Sequence, residues 1–299
     1  MKRRDFLKKS TGAAVAYAFL PSSSRLLQMS KIPDLVVTKE GSPADLVKKA
    51  VDTLGGMSRF VKNGDVVVLK PNISWDRVPE QAATTNPEVV AEVIRLCLEA
   101  GAKKVQVFDR TLNEPRRCYK RSGIEEAAKA AGADVTHIYE RKFKTTNFPE
   151  GEIIKSWELY GDVLEADRII NLPVAKHHSI GGMSLGMKNY MGFLGGNRGQ
   201  FHRDFQVKIV DLNTRVKADL IILDAYRMLL RNGPSGGNLA DVELKKTVVA
   251  GTDAVAIDSY GASMFGLQPE RVAFLQEAYT RGLGQIDLKK LTIETISLS

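Results

Sequence analysis

The chain alternates short apolar runs with amphipathic stretches, and that alternation limits its fold more than any other feature. Residues 65–70 (DVVVLK), 104–109 (KVQVFD), 167–172 (DRIINL) and 219–224 (DLIILD) are mostly apolar between polar or charged ends. Runs of this length and composition suit strands covered on both faces. Residues 35–38, 134–137, 245–250 and 292–297 read as further strands. Helical spacing fills the gaps. Residues 43–60 repeat apolar positions at Leu46, Val47, Ala50 and Leu54. Residues 87–100 start at an Asn86 cap, carry Pro87 at the first helical position and stop before Gly101. Residues 119–131, 205–216, 254–264 and 270–280 are also expected to be helical. Strands joined by helices of this length form βαβ units. The expectation is therefore an α/β fold, a mainly parallel sheet with helices on both faces. Residues 147–164 break the rhythm and are expected to form a small antiparallel insertion.

The N-terminus reads as a separate element. Arg3-Arg4-Asp5-Phe6-Leu7-Lys8 fits a twin-arginine export pattern, residues 12–20 (GAAVAYAFL) form a short apolar core, and Ala16-Tyr17-Ala18 offers a cleavage site. That core falls well short of the ~20 residues needed to span a bilayer. The chain is thus divided into a signal and linker, residues 1–30, and an α/β domain, residues 31–299. The product is expected in the periplasm or another extracytoplasmic space, carried there folded by the twin-arginine translocase. An uncleaved signal would keep it membrane-anchored. The first twenty residues hold a net +4 of the chain's +8, which leaves +4 for the remainder. No basic run is interleaved with aromatics, so nucleic acid is excluded as the expected partner and small anions fit better.

Several apolar runs deliver polar groups at what reads as one sheet edge. They end in Lys70 and Asn72, in Asp109, in Asn171 leading to Lys176-His177-His178, in Asp224, and in Asp253. Ligands of open parallel sheets bind outside the carboxyl ends of the strands, which makes this edge the expected site. Residues 169–203 add Lys188, Asn189, Arg198 and His202. Seven glycines between 181 and 199 suit neither helix nor strand, so this segment is expected to be a flexible wall. A lysine beside an amide suits a carboxylate, a phosphate or a polarised carbonyl. Lys70, Asn72, Lys176, Asn189, Arg198 and Asp253 are therefore the substrate-binding candidates. His177, His202 and Lys188 are the catalytic candidates, for proton transfer. A competing use is a divalent metal held by His178 with Asp109 and Asp224. Asn86 and Asp253 also fit as helix caps, and Asp258 as a buried partner for a lysine.

The chain has two cysteines, Cys97 and Cys118, and no CxxC, so its cysteines do not encode an iron–sulfur cluster. Cys97 is expected in the core and Cys118 partly exposed. GxGxxG after a strand, GxxxxGK[ST] and GxSxG are absent, which disfavours nucleotide binding by those loops and serine-hydrolase chemistry.

Several ordered blocks carry a resemblance across roughly residues 64–285. They are VVVLKPN with TTNPEVV, the strand into NLPVAKHH, SLGMKNYMGFL with the downstream His202, DLIILDAY with NGPSGG, and VVAGTDAVAIDSYGASMFG. Together they resemble the DUF362 family, largely uncharacterised prokaryotic proteins. The resemblance implies association with iron–sulfur chemistry in relatives that carry a ferredoxin-like domain with CxxC repeats. This sequence shows no such domain, so that property is not carried over unless a partner subunit brings the cysteines. The expected function is binding of a small anionic substrate or metal-bound ligand in a basic, histidine-lined pocket, with or without catalysis. The alternatives are a non-catalytic metal or cofactor carrier and a redox accessory of a ferredoxin-like subunit.

Overall fold

A computed structural model describes residues 32–298; the twin-arginine motif and its cleavage site lie outside them. Strands β1 (Leu35–Lys39), β2 (Val66–Pro71), β3 (Lys104–Val107) and β4 (Asp134–Val135) precede a hairpin of β5 (Phe143–Asn147) and β6 (Ser156–Tyr160). Then come β7 (Arg168–Leu172), β8 (Val174–His178), β9 (Gly182–Ser184), β10 (Leu220–Leu229), β11 (Val242–Gly251) and β12 (Ile293–Ser297). The main sheet runs β12-β1-β11-β10-β7-β2-β3-β4, with β8 paired to β10 and β9. Strands β10, β7, β2, β3 and β4 are mutually parallel, whereas β11 runs antiparallel to both its neighbours. The fold is thus α/β around a mostly parallel sheet. The antiparallel insertion is the β5–β6 hairpin, which begins earlier than the sequence rhythm suggests.

The period of two along each strand splits the core between the two faces. Leu220 and Ile222 of β10 pack with Val67 and Leu69 of β2, under α1 (Pro43–Thr53) and α2 (Pro87–Glu99). Ile221 and Leu223 turn the other way, toward Val68 and Val249. Further helices complete the layers. They are α3 (Pro115–Arg121), α4 (Ile124–Ala130), α5 (Gly161–Glu165), α6 (Gly186–Asn189), α7 (Phe205–Arg215), α8 (Ala254–Met264) and α9 (Ala273–Thr280). Both layers are held by burial, worth roughly 1.5–3 kcal/mol for each fully enclosed large aliphatic or aromatic side chain.

Three expectations change. The helix expected over 119–131 is two helices, because Gly123 takes a left-handed φ of 72° between α3 and α4. Cys118 is fully buried rather than partly exposed, and burial pushes its thiol up to about 11. Residues 181–199, expected to suit neither helix nor strand, take up regular structure. They form β9, α6 and two short 3-10 turns, with Met183, Leu185, Met187, Phe193 and Leu194 enclosed in the core. Burial of these interleaved apolar residues outweighs the backbone entropy that the glycines give up.

The winding places a crevice. After β2 the chain adds β3 and β4 outward on one side, then returns to lay β7 on the other side of β2. Between β2 and β7 the direction of winding reverses, and such reversals open a cleft at the carboxyl ends of the strands. Among the described residues no helix is long and apolar enough to cross a membrane.

Candidate functional site

Lys70 of β2 and Asn171 of β7 are register partners across that reversal. The site grows outward from them. Lys70 Nζ lies 2.9 Å from Asp109 Oδ1, and both side chains are essentially sealed from solvent. Asp109 Oδ2 accepts from the Ile73 N–H at 2.7 Å, and Lys70 donates to the Pro71 carbonyl at 2.6 Å. Asn189 ties the strands together. Its Nδ2 donates to the Lys70 carbonyl and to Asn171 Oδ1, both at 2.8 Å, while its Oδ1 accepts from Asn72 Nδ2 at 3.1 Å. Asn72 Oδ1 in turn accepts from Lys176 Nζ at 3.0 Å, and Lys176 donates a second time to the Ala83 carbonyl at 2.5 Å. Lys176 is 1% exposed, with only neutral acceptors in reach. Burial therefore drives its ammonium far below the ordinary lysine range, and the Lys188 charge adds to the effect.

Two glycines let the backbone close on this network. A Cβ on Gly192 would sit 1.9 Å from Asp109 Oδ1, and one on Gly186 would sit 2.8 Å from Asp258 Oδ1. Asp258, on α8, accepts from the N–H groups of Gly186 (2.7 Å) and Met187 (2.9 Å). It thereby supplies, from a distant element, the cap that α6 lacks in its own sequence. Thr85 plays a similar part. Its hydroxyl donates to the Leu172 carbonyl at 2.7 Å and accepts from the Asn72 N–H at 2.8 Å, joining the TTN block to the ends of β2 and β7.

A cavity of about 270 Å³ opens beside the network. Lys176, Lys188, Arg198, His178, His202, Asn72, Asn189 and Ser184 give it polar walls, and Trp75, Leu112, Ile180 and Met191 an apolar side. Its described lining contains cations and no carboxylate. Arg198 is partly committed, donating to the carbonyls of Arg110 (2.8 Å) and Thr111 (2.9 Å). Lys188 is not. Its ammonium lies 6.0 Å from the centre of the Phe205 ring and has no hydrogen-bond or ion-pair partner among the described residues. Burial, reinforced by the Arg198 charge, lowers it to about 8.

His178 and His202 stack at 6.0 Å with rings 9° apart, and His202 continues the stack onto Phe205 at 6.1 Å. His178 Nδ1 accepts from the N–H groups of Ile180 (3.1 Å) and Gly181 (3.2 Å), so its proton belongs on Nε2. Burial, then Lys188, pushes His178 down to about 3 and lowers His202 as well, leaving both imidazoles neutral near pH 7.

Lys70, Asn72, Lys176, Asn189, Arg198, Lys188, His202, His178 and Asp109 therefore gather at one place, and three candidates do not. His177 points away from the cavity, as alternation along β8 requires, and its Nδ1 accepts from the Gly233 N–H at 3.1 Å. Asp224 accepts from the N–H groups of Asn86 (2.7 Å) and Tyr226 (3.0 Å) and does not line the cavity; burial pushes it up to about 6. Asp253 lies at the opposite edge, because β11 is antiparallel, and there it caps α8 through the Ala256 N–H. The metal set of His178, Asp109 and Asp224 is thus split up. Among the described residues no three His, Cys, Asp or Glu side chains gather to hold an ion. Asp258, read from the sequence as a lysine partner, instead caps α6.

Comparison with known proteins agrees with the sequence blocks. The chain is 28% identical over 251 residues to a thylakoid-associated protein of Synechocystis sp., across 81% of this chain and 76% of that one. Among solved structures it is similar to the lactate racemase apoprotein of Thermoanaerobacterium thermosaccharolyticum, with a TM-score of 0.46 and 12% identity over 77% of this chain. It is also similar to a Thermotoga maritima protein, with a TM-score of 0.45 and 11% identity over 81% of this chain. The chain spans 56% and 60% of the lengths of those two structures. Residues 67–263, well over half of the chain, match the family described as a domain of unknown function, DUF362. The chain belongs to the DUF362 family.

Proposed function

We propose that the cavity at the β2–β7 crevice binds a small organic anion and that Lys188 is its principal contact. The observation carrying this reading is the Lys188 ammonium, which lines this cavity and has no protein acceptor among the described residues. Lys176 is held in the wall by its two hydrogen bonds, to Asn72 and Ala83, and Arg198 adds positive potential beside Lys188. A carboxylate supplies the acceptors that these donors lack, while Trp75, Leu112 and Met191 suit a short apolar body. The His202 imidazole is the group suited to move a proton on the bound anion, while His178, pushed down to about 3 with Nδ1 already accepting two backbone N–H groups, can only donate from Nε2.

Residues 1–30 are assigned the role of export signal on the strength of RRDFLK and the apolar core behind it. In this reading the folded α/β domain works outside the cytoplasm.

Calorimetric titration of the purified protein with a panel of small carboxylates and phosphates tests the site. Lys188→Ala is expected to weaken binding 10- to 100-fold, in line with ~1.5–3 kcal/mol for a hydrogen bond to a charged group. Circular dichroism of that variant should match the parent protein. Undiminished binding in a folded Lys188→Ala protein would place the anion elsewhere.

A further inference from the structure

We infer that Lys188 forms a covalent iminium with the carbonyl carbon of a small 2-oxo acid. The inference rests on the cavity being an anion site and names the substrate class. Three lysines reach this network, and they are held differently. Lys70 is locked against Asp109, and Lys176 is spent on the Asn72 side chain and the Ala83 carbonyl. Lys188 alone of the three has no polar partner among the described residues, so its nitrogen is available to a ligand atom rather than to the protein. Its backbone is not loose. Asp258 fixes the first turn of α6 through two N–H groups, and Asn189, the next residue, is tied to both β2 and β7. A mobile surface lysine lacks such a fixed base. Burial and the neighbouring guanidinium also keep a fraction of the amine unprotonated near neutral pH, the form that attacks carbonyl carbon.

The rest of the cavity selects the electrophile. The Arg198 guanidinium favours a carboxylate beside the reacting carbon, and the apolar side accepts the substituent on its far side. The step balances without an oxidant or reductant. Nζ attacks the carbonyl carbon and the carbonyl π pair moves onto oxygen. Two protons leave the original ammonium for that oxygen, directly or through His202, and it departs as water. The C=N bond that remains carries the positive charge the ammonium had. That charge stays against the face of Phe205, and the cation–π contact survives the reaction.

The test is reductive trapping on the full chain. The protein is incubated with pyruvate, 2-oxoglutarate or phenylpyruvate and cyanoborohydride, then digested and mapped by mass spectrometry. Acetate and lactate, which have no ketone, serve as reversible-binding controls in calorimetry. A reduced adduct concentrated on the peptide carrying Lys188, and lost in Lys188→Arg, is the expected result. Adducts absent, or spread over surface lysines equally in both proteins, would overturn the iminium. If carboxylates still bind reversibly in that case, the anion site stands and only the covalent step is wrong. If none of the five compounds binds, both readings fall. Mapping the parent protein gives its answer even if the Arg variant folds poorly.

Discussion

Asp258 on α8 holds Gly186 at the start of α6, with its Oδ1 accepting from the Gly186 N–H at 2.7 Å. The other oxygen accepts from the Met187 N–H, so one carboxylate satisfies two donors that a four-residue helix cannot satisfy itself. Asp258→Asn keeps the shape and presents only one acceptor, with an amide N–H facing the second donor. Loss of a cap and one unsatisfied buried donor predict about 1–3 kcal/mol of destabilisation. Because α6 carries Lys188, anion affinity should fall although Asp258 does not line the cavity. Urea unfolding and calorimetry on the same sample measure the two effects. An unchanged affinity would disconnect the cap from the site.

Gly192 is predicted to tolerate no side chain. Its backbone is not left-handed, so the obstacle is space alone. A Cβ would meet Asp109 Oδ1 at 1.9 Å and Lys70 Cε at 2.6 Å, neither of which has room to retreat. Gly192→Ala should therefore pull the ion pair apart, and breaking a buried pair costs about 3–5 kcal/mol. The expected outcome is a large loss of stability in denaturant unfolding, whereas Gly196→Ala, 3.3 Å from Glu158 but with a left-handed φ of 57°, should cost only the roughly 1–2 kcal/mol of that backbone strain.

The Lys70–Asp109 pair is predicted to be costly to break and cheap to replace. Lys70→Met leaves the Asp109 carboxylate buried beside a methyl group, so a loss of about 3–5 kcal/mol is expected. The double change Lys70→Met with Asp109→Asn removes both charges, and the amide oxygen can still accept from the Ile73 N–H. It should recover most of that loss. A double-mutant cycle in urea reads the coupling directly, and additive single effects would mean that the pair is not an energetic unit.

Most of the sheet, and the general place of the site, could be read from the sequence, since strand runs and polar strand ends are local signals. DVVVLKPN announces both β2 and the buried Lys70, and alternation along β8 already sends His177 and His178 to opposite sides. What could not be read depends on partners far along the chain. Nothing near residue 253 says that β11 runs antiparallel, so sequence alone points Asp253 to an edge from which the topology removes it. The glycines of 181–199 suggest looseness by composition. Their function as clearance for Asp109 and Asp258, some 80 and 70 residues distant in sequence, exists only in three dimensions. Asp258 is misread for the same reason. A carboxylate in an apolar helix suggests a lysine, whereas its partners are the N–H groups of a short helix with no capping side chain of its own.

Anion binding is predicted to follow the Lys188 proton and to ignore the histidines. His178 is pushed down to about 3, far below the usual imidazole range, and His202 is lowered too. His178 therefore stays neutral throughout, and the lowered His202 titrates on the acid side of the ordinary imidazole range, so no rise or fall in affinity is expected between about pH 7 and 7.5. Lys188, lowered to about 8 by burial, loses its charge above that pH, and a bound carboxylate opposes the loss. Affinity for acetate or lactate should therefore be flat from about pH 7 to 7.5, then decline toward tenfold per pH unit above 8. Lys188→Arg should abolish that decline, because a guanidinium stays charged throughout. Stability moves the other way. The unfolded lysine holds its proton up to about 10.4, so the folded state without ligand carries the burial penalty of the charged form below pH 8 and sheds it as pH rises from 8 toward 10. Relative to Lys188→Met, the parent protein should gain stability across that window, measured by urea titration at each pH. A parent protein that loses ground to the Met variant there would mean that the Lys188 ammonium is stabilised by its surroundings and is not the free cation of the cavity.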